Sequence, residues 1–293
     1  MILRKTIDNQ HNGLRLDDAI ATLCSGISKS EARRIIDRGG CALNAAMVRV
    51  ASRSVKTGDT FEIGVMEAGR FCDLLLPPEA LLYEDADLIA VNKPAGINSQ
   101  RTPYQLKGTL EYWVAEYFKA QGNSEPARVI HRLDRGTSGA MLFPKHKPAA
   151  AWLSKCFHDG AVDKRYLALV SGRPEQESWT VDAPIGKIAS ARYGIVTGGR
   201  SAATEFRLLS IFDEFSLVEA RPLTGRTHQI RVHLEYGGTP IVGDPTYGNR
   251  PAERMMLHCA EMTFLDAKGK ELRVNAPLDG VFEEYTRKLQ HLI

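Results

Sequence analysis

The sequence predicts an α+β fold: a mixed, largely antiparallel sheet with flanking helices forms a large domain, and a small α/β domain precedes it. Three observations lead there. From residue 164 onward, short strand-like runs follow one another, mostly at hairpin spacing, where a wound parallel sheet would place a helix between each pair. Helical periodicity is confined to a few separate segments. Residues 67–80, with Gly69, Pro77, Pro78 and no period, divide the two regions. The expected layout is a domain over 1–66, a linker over 67–80 and a domain over 81–293.

In the first region Arg15 to Leu23 has the spacing of a short helix, with Asp17 as its cap. Ser28 and Glu31 stand at capping-box spacing and open a second helix that should end near Gly39 and Gly40. Ala32, Ile35 and Ile36 share one face of it, while Lys29, Arg33, Arg34 and Arg38 fan across the remainder. Strands are expected at 41–44, 47–50 and 60–65. Asn44-Ala45 falls at the first turn, where Asn-Gly is commoner; Ala resists positive φ, which implies a looser hairpin or another turn type.

The larger region opens with a strand at 88–91 running into Asn92-Lys93-Pro94-Ala95-Gly96, where Lys93 and the Pro/Gly turn read as structural support. Thr109 caps a helix whose Leu110, Trp113, Val114, Tyr117 and Phe118 recur at helical spacing, a stripe that belongs to a core. A further helix covers 148–158, closed by Gly160. Strands are expected at 164–170, 179–181, 204–211, 216–221, 255–265 and 272–274. A helix over 227–236, ended by Gly237-Gly238, interrupts them, and another covers 279–289.

With 43% hydrophobic and 25% charged residues among 293, the composition is that of an ordinary soluble globular chain. No apolar run approaches the roughly 20 residues that span a bilayer, and the first residues carry no secretory apolar core, so a cytoplasmic protein is expected. Cys24, Cys41, Cys72, Cys156 and Cys259 form no C-x-x-C pair and read as free thiols. His228 and His233 lack a third ligand nearby and read as hydrogen-bonding groups; neither a metal nor a cofactor is expected. The net charge of +3 is unevenly placed: residues 1–65 hold ten Lys/Arg against seven Asp/Glu, and the rest of the chain balances.

The chemistry-bearing stretch is Val129-Ile130-His131-Arg132-Leu133-Asp134-Arg135-Gly136-Thr137-Ser138-Gly139, followed by the apolar run Ala140 to Phe143. It sets one carboxylate, Asp134, between two guanidinium groups on a loop entering a core strand. Such a group is held rigidly yet remains reachable. The string HRLDRGTSG resembles the signature of the RluA-type family of pseudouridine synthases. Similar blocks follow the family order at 88–97 (LIAVNKPAGI), 164–170 (KRYLALV), 222–234 (PLTGRTHQIRVHL) and 240–248 (PIVGDPTYG). The helix, basic helix and hairpin near the N-terminus resemble an S4 RNA-binding domain.

The resemblance implies isomerisation of uridine in RNA: the C1′–N1 bond breaks, the base turns, and a bond forms through C5. No redox step and no energy input are needed, hence no cofactor. Asp134 is then the catalytic carboxylate, whether it attacks the sugar, attacks the base or first removes the 2′ proton. Tyr166 stacks on the target uracil, and Arg226 pairs with Asp134, holding it ionised and aimed. Arg132 enters the space left by the flipped nucleotide, and Lys164 and Arg165 steady the backbone beside it. Lys29, Arg33 and Arg34 meet phosphates from the S4-like helix, and Arg101 and Lys107 are further candidate contacts. His131 packs or hydrogen-bonds locally. The implied partner is ribosomal RNA or tRNA, bound by a monomer. Two other readings remain: an RNA-binding protein of this fold without catalysis, and a nucleoside or sugar hydrolase, which normally needs a second carboxylate that no matching motif supplies.

Overall fold

The computed structural model describes residues 2–37, 40–64, 74, 76–102, 105 and 107–290. One unit comprises Met1–Leu75 with Gln100–Ala120, the other Leu76–Ser99 with Gln121–Ile293. The stretch expected as a linker, 67–80, lies largely outside the described residues.

The first unit contains β1 (Ile2–Thr6), α1 (Leu16–Leu23), α2 (Lys29–Asp37), β2 (Cys41–Leu43), β3 (Ala46–Val48), β4 (Thr60–Gly64) and α3 (Leu110–Ala120). Its antiparallel sheet runs β1-β4-β2-β3. The apolar faces of α1 and α2, among them Leu16, Ile20, Ile35 and Ile36, are buried in one core with Phe61 and Ile63. The capping box forms: Ser28 N–H donates to Glu31 Oε2 at 3.1 Å, and Glu31 N–H donates to Ser28 Oγ at 3.3 Å. Thr109 caps α3 through the Tyr112 N–H at 3.3 Å.

Two expectations for this unit need correction. Asp17 does not cap α1; Arg15 holds that position, and the Asp17 side chain is fully buried inside the helix. A buried carboxylate requires partners. Arg15 bonds it at 2.9 and 2.8 Å and Arg33 at 3.3 Å, with Arg15 holding its carboxyl below the usual range. The hairpin turn is also not loosened by Ala45, which takes φ +65° beside Asn44 at +50°. The Asn44 side chain bonds Asp59 Oδ1 at 2.8 Å and the Thr60 N–H at 2.9 Å, and this anchoring holds Ala45 in a region it disfavours.

The second unit contains β5 (Leu81–Glu84), β6 (Leu88–Lys93), β7 (Ser138–Pro144), α4 (Lys147–His158), β8 (Asp163–Ser171), β9 (Ser178–Asp182), β10 (Ile185–Ala189), β11 (Arg192–Ile195), β12 (Ala203–Phe212), β13 (Phe215–Pro222), α5 (Gln229–Tyr236), β14 (Leu257–Leu265), β15 (Glu271–Asn275) and α6 (Gly280–Gln290). Eight strands lie in the order β5-β6-β7-β14-β8-β13-β12-β9, and β15 pairs with β14. Every neighbouring pair is antiparallel except β7 with β14. The fold is therefore α+β with largely antiparallel sheets, as the hairpin spacing predicts. β5 and the separate β10–β11 hairpin add to the expected strands, because neither carries a clear apolar alternation. Among the described residues, no helix is long and apolar enough to cross a membrane.

At the parallel junction the loop bearing Asp134 enters the sheet. All seven residues of β7 are buried, as its apolar run requires. Gly139 pairs with Cys259 at φ +115°, and a Cβ there would lie 2.2 Å from the Cys259 carbonyl oxygen, so only glycine fits. Beside it Ser138 Oγ and His258 Nδ1 are 2.8 Å apart, and His258 Nε2 is 3.0 Å from the Ala276 carbonyl. That carbonyl can only accept, so Nε2 carries the proton and Ser138 donates to Nδ1.

Burial pulls His258 down to about 4 and His131 down to about 3. In the unfolded chain both would protonate near the usual histidine value, so each stabilises the fold above that pH and its contribution is lost on acidification. The loss amounts to about 1.4 kcal/mol per pH unit for each histidine. Denaturant unfolding between pH 7 and 4 should show this decline. His258→Gln keeps both hydrogen bonds without the titration, so its stability should fall less steeply with acid; parallel curves for the two proteins would refute the assignment.

Candidate active site

Asp134 sits on the loop before β7, and the turn after β6 grips that loop on both sides of it. Ser99 Oγ donates to the Leu133 carbonyl at 2.6 Å and accepts the Leu133 N–H at 3.1 Å. On the other side the Gly96 N–H donates to the Arg135 carbonyl at 2.7 Å, and Arg135 Nε returns a bond to the Gly96 carbonyl at 2.9 Å. Lys93, fully buried, points its ammonium at the carbonyls of Pro94, Ile97 and Arg135 at 3.0, 2.9 and 3.4 Å. Burial pulls it down to about 7, against the nearby Asp134 charge that favours the ammonium. The support expected of Lys93 thus takes the form of three carbonyl contacts, and the Asp134 backbone has little freedom.

The side chain of Asp134 is 26% exposed, and Oδ2 accepts a bond from Arg231 Nη1 at 2.8 Å. Arg231 is nearly buried on α5 and reaches Asp244 with its other edge, at 2.7 and 2.9 Å. Asp244 is fully buried and also accepts the N–H groups of Thr246 and Tyr247 at 2.8 and 3.1 Å. Burial alone would raise the Asp244 carboxyl, but these donors bring it below its usual range. The Tyr247 ring lies 4.9 Å under the Arg231 guanidinium. Asp244, Arg231 and Asp134 form a chain whose reachable end is Asp134.

This corrects the pairing expected for Arg226. Arg226 donates through Nε to the Ser201 carbonyl at 2.8 Å and, among the described residues, makes no ion pair. It precedes α5, whereas Arg231 lies inside the helix, in its first turn. A place within the helix expected from the same motif is the sequence signal for Arg231. For Asp244 and Tyr247 the signal is weaker, since nothing in the spacing of 240–248 assigns a role to either residue. α5 itself is set by Gln229, whose Nε2 donates to the Ala203 carbonyl at 2.9 Å and whose Oε1 accepts Thr224 Oγ1 at 2.6 Å and the Arg226 N–H at 2.9 Å. His233 lies 2.9 Å from Thr204 Oγ1 and 3.1 Å from the Ala183 carbonyl, a hydrogen-bonding role like that of His228.

Tyr166 on β8 is the cross-strand neighbour of Cys259 and is partly exposed. Burial, the Cys259 thiol and the Asp134 charge push its hydroxyl well above the usual phenol value, so it remains protonated. Lys164 shares that face by strand alternation, and burial lowers its ammonium. Arg165 points to the opposite face, where it meets Glu219 at 3.6 Å and Glu261 at 4.0 Å. It is not brought to the Asp134 side, because adjacent residues of a strand face opposite ways. Arg132 is exposed and donates to Thr227 Oγ1 at 3.3 Å, at the start of α5. His131 stacks on Phe157 at 4.3 Å and accepts the Leu142 N–H at 2.9 Å, so it packs locally. In the first unit Lys29 and Arg33 are exposed but paired with Asp18 and Asp17, and Arg34 is exposed. Arg101 is tied to Glu111 by three bonds of 2.6 to 2.9 Å, and Lys107 lies over the Tyr112 ring at 5.7 Å. Arg38 lies outside the described residues.

A partly exposed carboxylate oriented by a buried arginine, with a protonated tyrosine near enough to feel its charge, is an arrangement suited to nucleophilic or acid–base catalysis. Residues 87–236 match the RNA pseudouridylate synthase family. The chain is 32% identical to the ribosomal large subunit pseudouridine synthase C of Vibrio cholerae, covering 97% of this chain and 96% of that one. It is 36% identical to an uncharacterised RNA pseudouridine synthase of Chloroflexus aurantiacus, covering 94% and 90%. It is also 31% identical to the ribosomal large subunit pseudouridine synthase D of Zymomonas mobilis, covering 93% of each. Among solved structures, human RNA pseudouridylate synthase domain containing 4 aligns with a TM-score of 0.62 over 72% of this chain and 93% of its own, at 24% identity. Human RNA pseudouridylate synthase domain containing 1 aligns at 0.58 over 72% and 94%, at 27% identity. The chain belongs to the RluA-type family of RNA pseudouridine synthases, which are isomerases.

The Asp134 geometry separates the two arginines experimentally. Arg231→Ala leaves Asp244 buried and unpaired, which should cost about 3–5 kcal/mol of stability and abolish turnover. Arg226→Ala removes one bond to a backbone carbonyl and should cost about 1 kcal/mol with the fold and the Asp134 pairing kept. Urea unfolding of both variants checks this, and equal losses would contradict it.

Proposed function

We propose that Asp134 carries out the isomerisation on a uridine flipped out of its stack, with Tyr166 against the uracil and Arg132 in the space the base leaves. The observation that carries this reading is the arrangement Asp244–Arg231–Asp134, in which two buried groups aim one reachable carboxylate. Arg231 donates to Oδ2 of Asp134 and orients the carboxylate, as a positioned nucleophile or base requires. A uracil ring can stack on Tyr166, whose protonated hydroxyl stands ready to donate. Arg132 is exposed at the mouth with a planar group able to stack and to bond phosphate. Lys164 supplies a cation on the same face as Tyr166. The proposed substrate is ribosomal RNA, with tRNA as the second choice, because several relatives carry large-subunit ribosomal names. The protein would act as a monomer in the cytoplasm.

We further infer that residues 1–66 serve as an S4-like RNA-binding domain. Support comes from the positive excess in residues 1–65 and from the helix, basic helix and hairpin order. A hydrolase reading is disfavoured because Asp244, the carboxylate on the far side of Arg231, is fully buried and doubly bonded there. It has no room to activate water as glycoside hydrolysis requires.

RNA tritiated at C5 of uridine tests the reaction. Wild-type protein should release tritium, and Asp134→Asn should release less than about a hundredth as much while binding RNA normally, since an essential carboxylate contributes several kcal/mol. Binding without release by the wild type would favour the silent RNA-binding reading, and free uracil would favour hydrolysis. For the N-terminal unit, Arg33 and Arg34 replaced together by Ala should weaken RNA binding and reduce the slope of log affinity against log salt by about 0.7–0.9 for each phosphate no longer neutralised. Arg33 also pairs with buried Asp17, so a melting curve must accompany the measurement. An unchanged slope in a folded variant would remove α2 from the RNA interface.

A further inference from the structure

We propose that His228 is a positioning residue which, together with Arg231, fixes one oxygen of the Asp134 carboxylate and leaves the other, Oδ1, as the oxygen that meets the substrate. The inference rests on reading Asp134 as the reacting carboxylate.

His228 immediately precedes α5 at φ +59°, a left-handed conformation that costs a non-glycine residue about 1–2 kcal/mol. Its ring makes no cap to the helix. Instead it meets the rings of Tyr193 and Tyr247 edge-on, at 5.5 and 5.6 Å between centres. Nδ1 lies 2.9 Å from the Tyr247 hydroxyl. That hydroxyl accepts the Tyr193 N–H at 2.9 Å, and His228 Nδ1 is the one acceptor among the described residues for its own proton, so the hydroxyl donates to Nδ1. A donor at Nδ1 places the neutral imidazole's proton on Nε2. Nε2 stands 3.7 Å from Asp134 Oδ2, the oxygen that Arg231 holds at 2.8 Å. Among the described residues, Oδ1 of Asp134 has no hydrogen-bond partner.

The strain at His228 therefore aims a defined N–H at the carboxylate, and a backbone group of the β10–β11 hairpin determines which nitrogen carries it. At 3.7 Å the contact is longer than a hydrogen bond in the substrate-free protein; catalytic contacts commonly shorten when substrate is bound. The charged and titratable groups facing the ring are Asp134, Arg231, Asp244 and Arg132, with the two tyrosines. Burial lowers the imidazole and favours its neutral form. Once the His228 contact shortens, two donors on one oxygen oppose rotation of the carboxylate and present Oδ1 in a constant direction.

Tritium-release kinetics on His228→Gln, His228→Asn, Tyr247→Phe and, in parallel, Asp134→Asn test the proposal. Asn suits a left-handed backbone better than His but is too short to reach Asp134. Gln can accept from Tyr247 through Oε1 and donate to Asp134 through its amide. His228→Asn should lower kcat about ten- to a hundredfold with KM within about twofold, and His228→Gln should recover most of that loss. In Tyr247→Phe the imidazole loses the donor that opposes protonation at Nδ1. The acid limb of its kcat profile should therefore move to higher pH by about half a unit or more. A purely structural role for His228 predicts the reverse order, Asn at least as good as Gln, with the acid limb unmoved. His228→Asn at wild-type kcat, or His228→Gln no better than His228→Asn, would overturn the proposal; circular dichroism and melting establish that the variants fold. If Asp134→Asn stays active, the underlying reading falls. If Asp134→Asn is inactive while His228→Asn turns over normally, only the positioning role falls.

Discussion

Arg231 is the constraint on which the site depends. It is a guanidinium with almost no contact with water, and its removal from solvent is tolerable only because carboxylates occupy both of its edges. Asp244 satisfies one edge entirely within the core, with two backbone N–H groups completing its shell. Asp134 satisfies the other edge and stays partly in water. The same pairing that makes a buried arginine stable thus delivers an oriented carboxylate to a reachable place.

The sheet and its loops supply the remaining stiffness. β7 lies between antiparallel β6 and parallel β14, and Gly139 lets it approach Cys259 more closely than any side chain would permit. The loop carrying Asp134 cannot slide, because Ser99 holds the residue before it and Gly96 and Lys93 hold the residue after it. Backbone clamping and side-chain pairing act on different torsions of the same residue. Together they leave little conformational entropy to lose when substrate arrives.

In the N-terminal unit several basic residues are already engaged by acids. Asp17 is buried and draws Arg15 and Arg33 over it, while Lys29 reaches Asp18. A count of cations on α2 therefore overstates the positive charge it offers to a polyanion. Part of that charge already neutralises acids of α1.

How much was legible in the sequence depends on whether the deciding interactions are local. The capping box at Ser28 and Glu31, the helices at 147–158 and 229–236, the buried run of β7 and the hairpin-rich order of later strands depend on neighbours a few residues apart, and those patterns can be read along the chain. Asp134 was legible because its motif is continuous. Arg231 does not stand out over Arg226, five residues earlier, because the choice depends on a helix face and on Asp244, which lies 13 residues further on. The Asp17 site, the Ala45 turn, the outward course of Arg165 and the His228–Tyr247–Tyr193 contact likewise rest on partners brought together by folding. Sequence by itself determined the family, most of the order of helices and strands, and the continuous motif that carries Asp134. Tertiary structure decided which cation holds that carboxylate and which oxygen it leaves open, since burial and hydrogen-bond geometry exist only once distant segments pack.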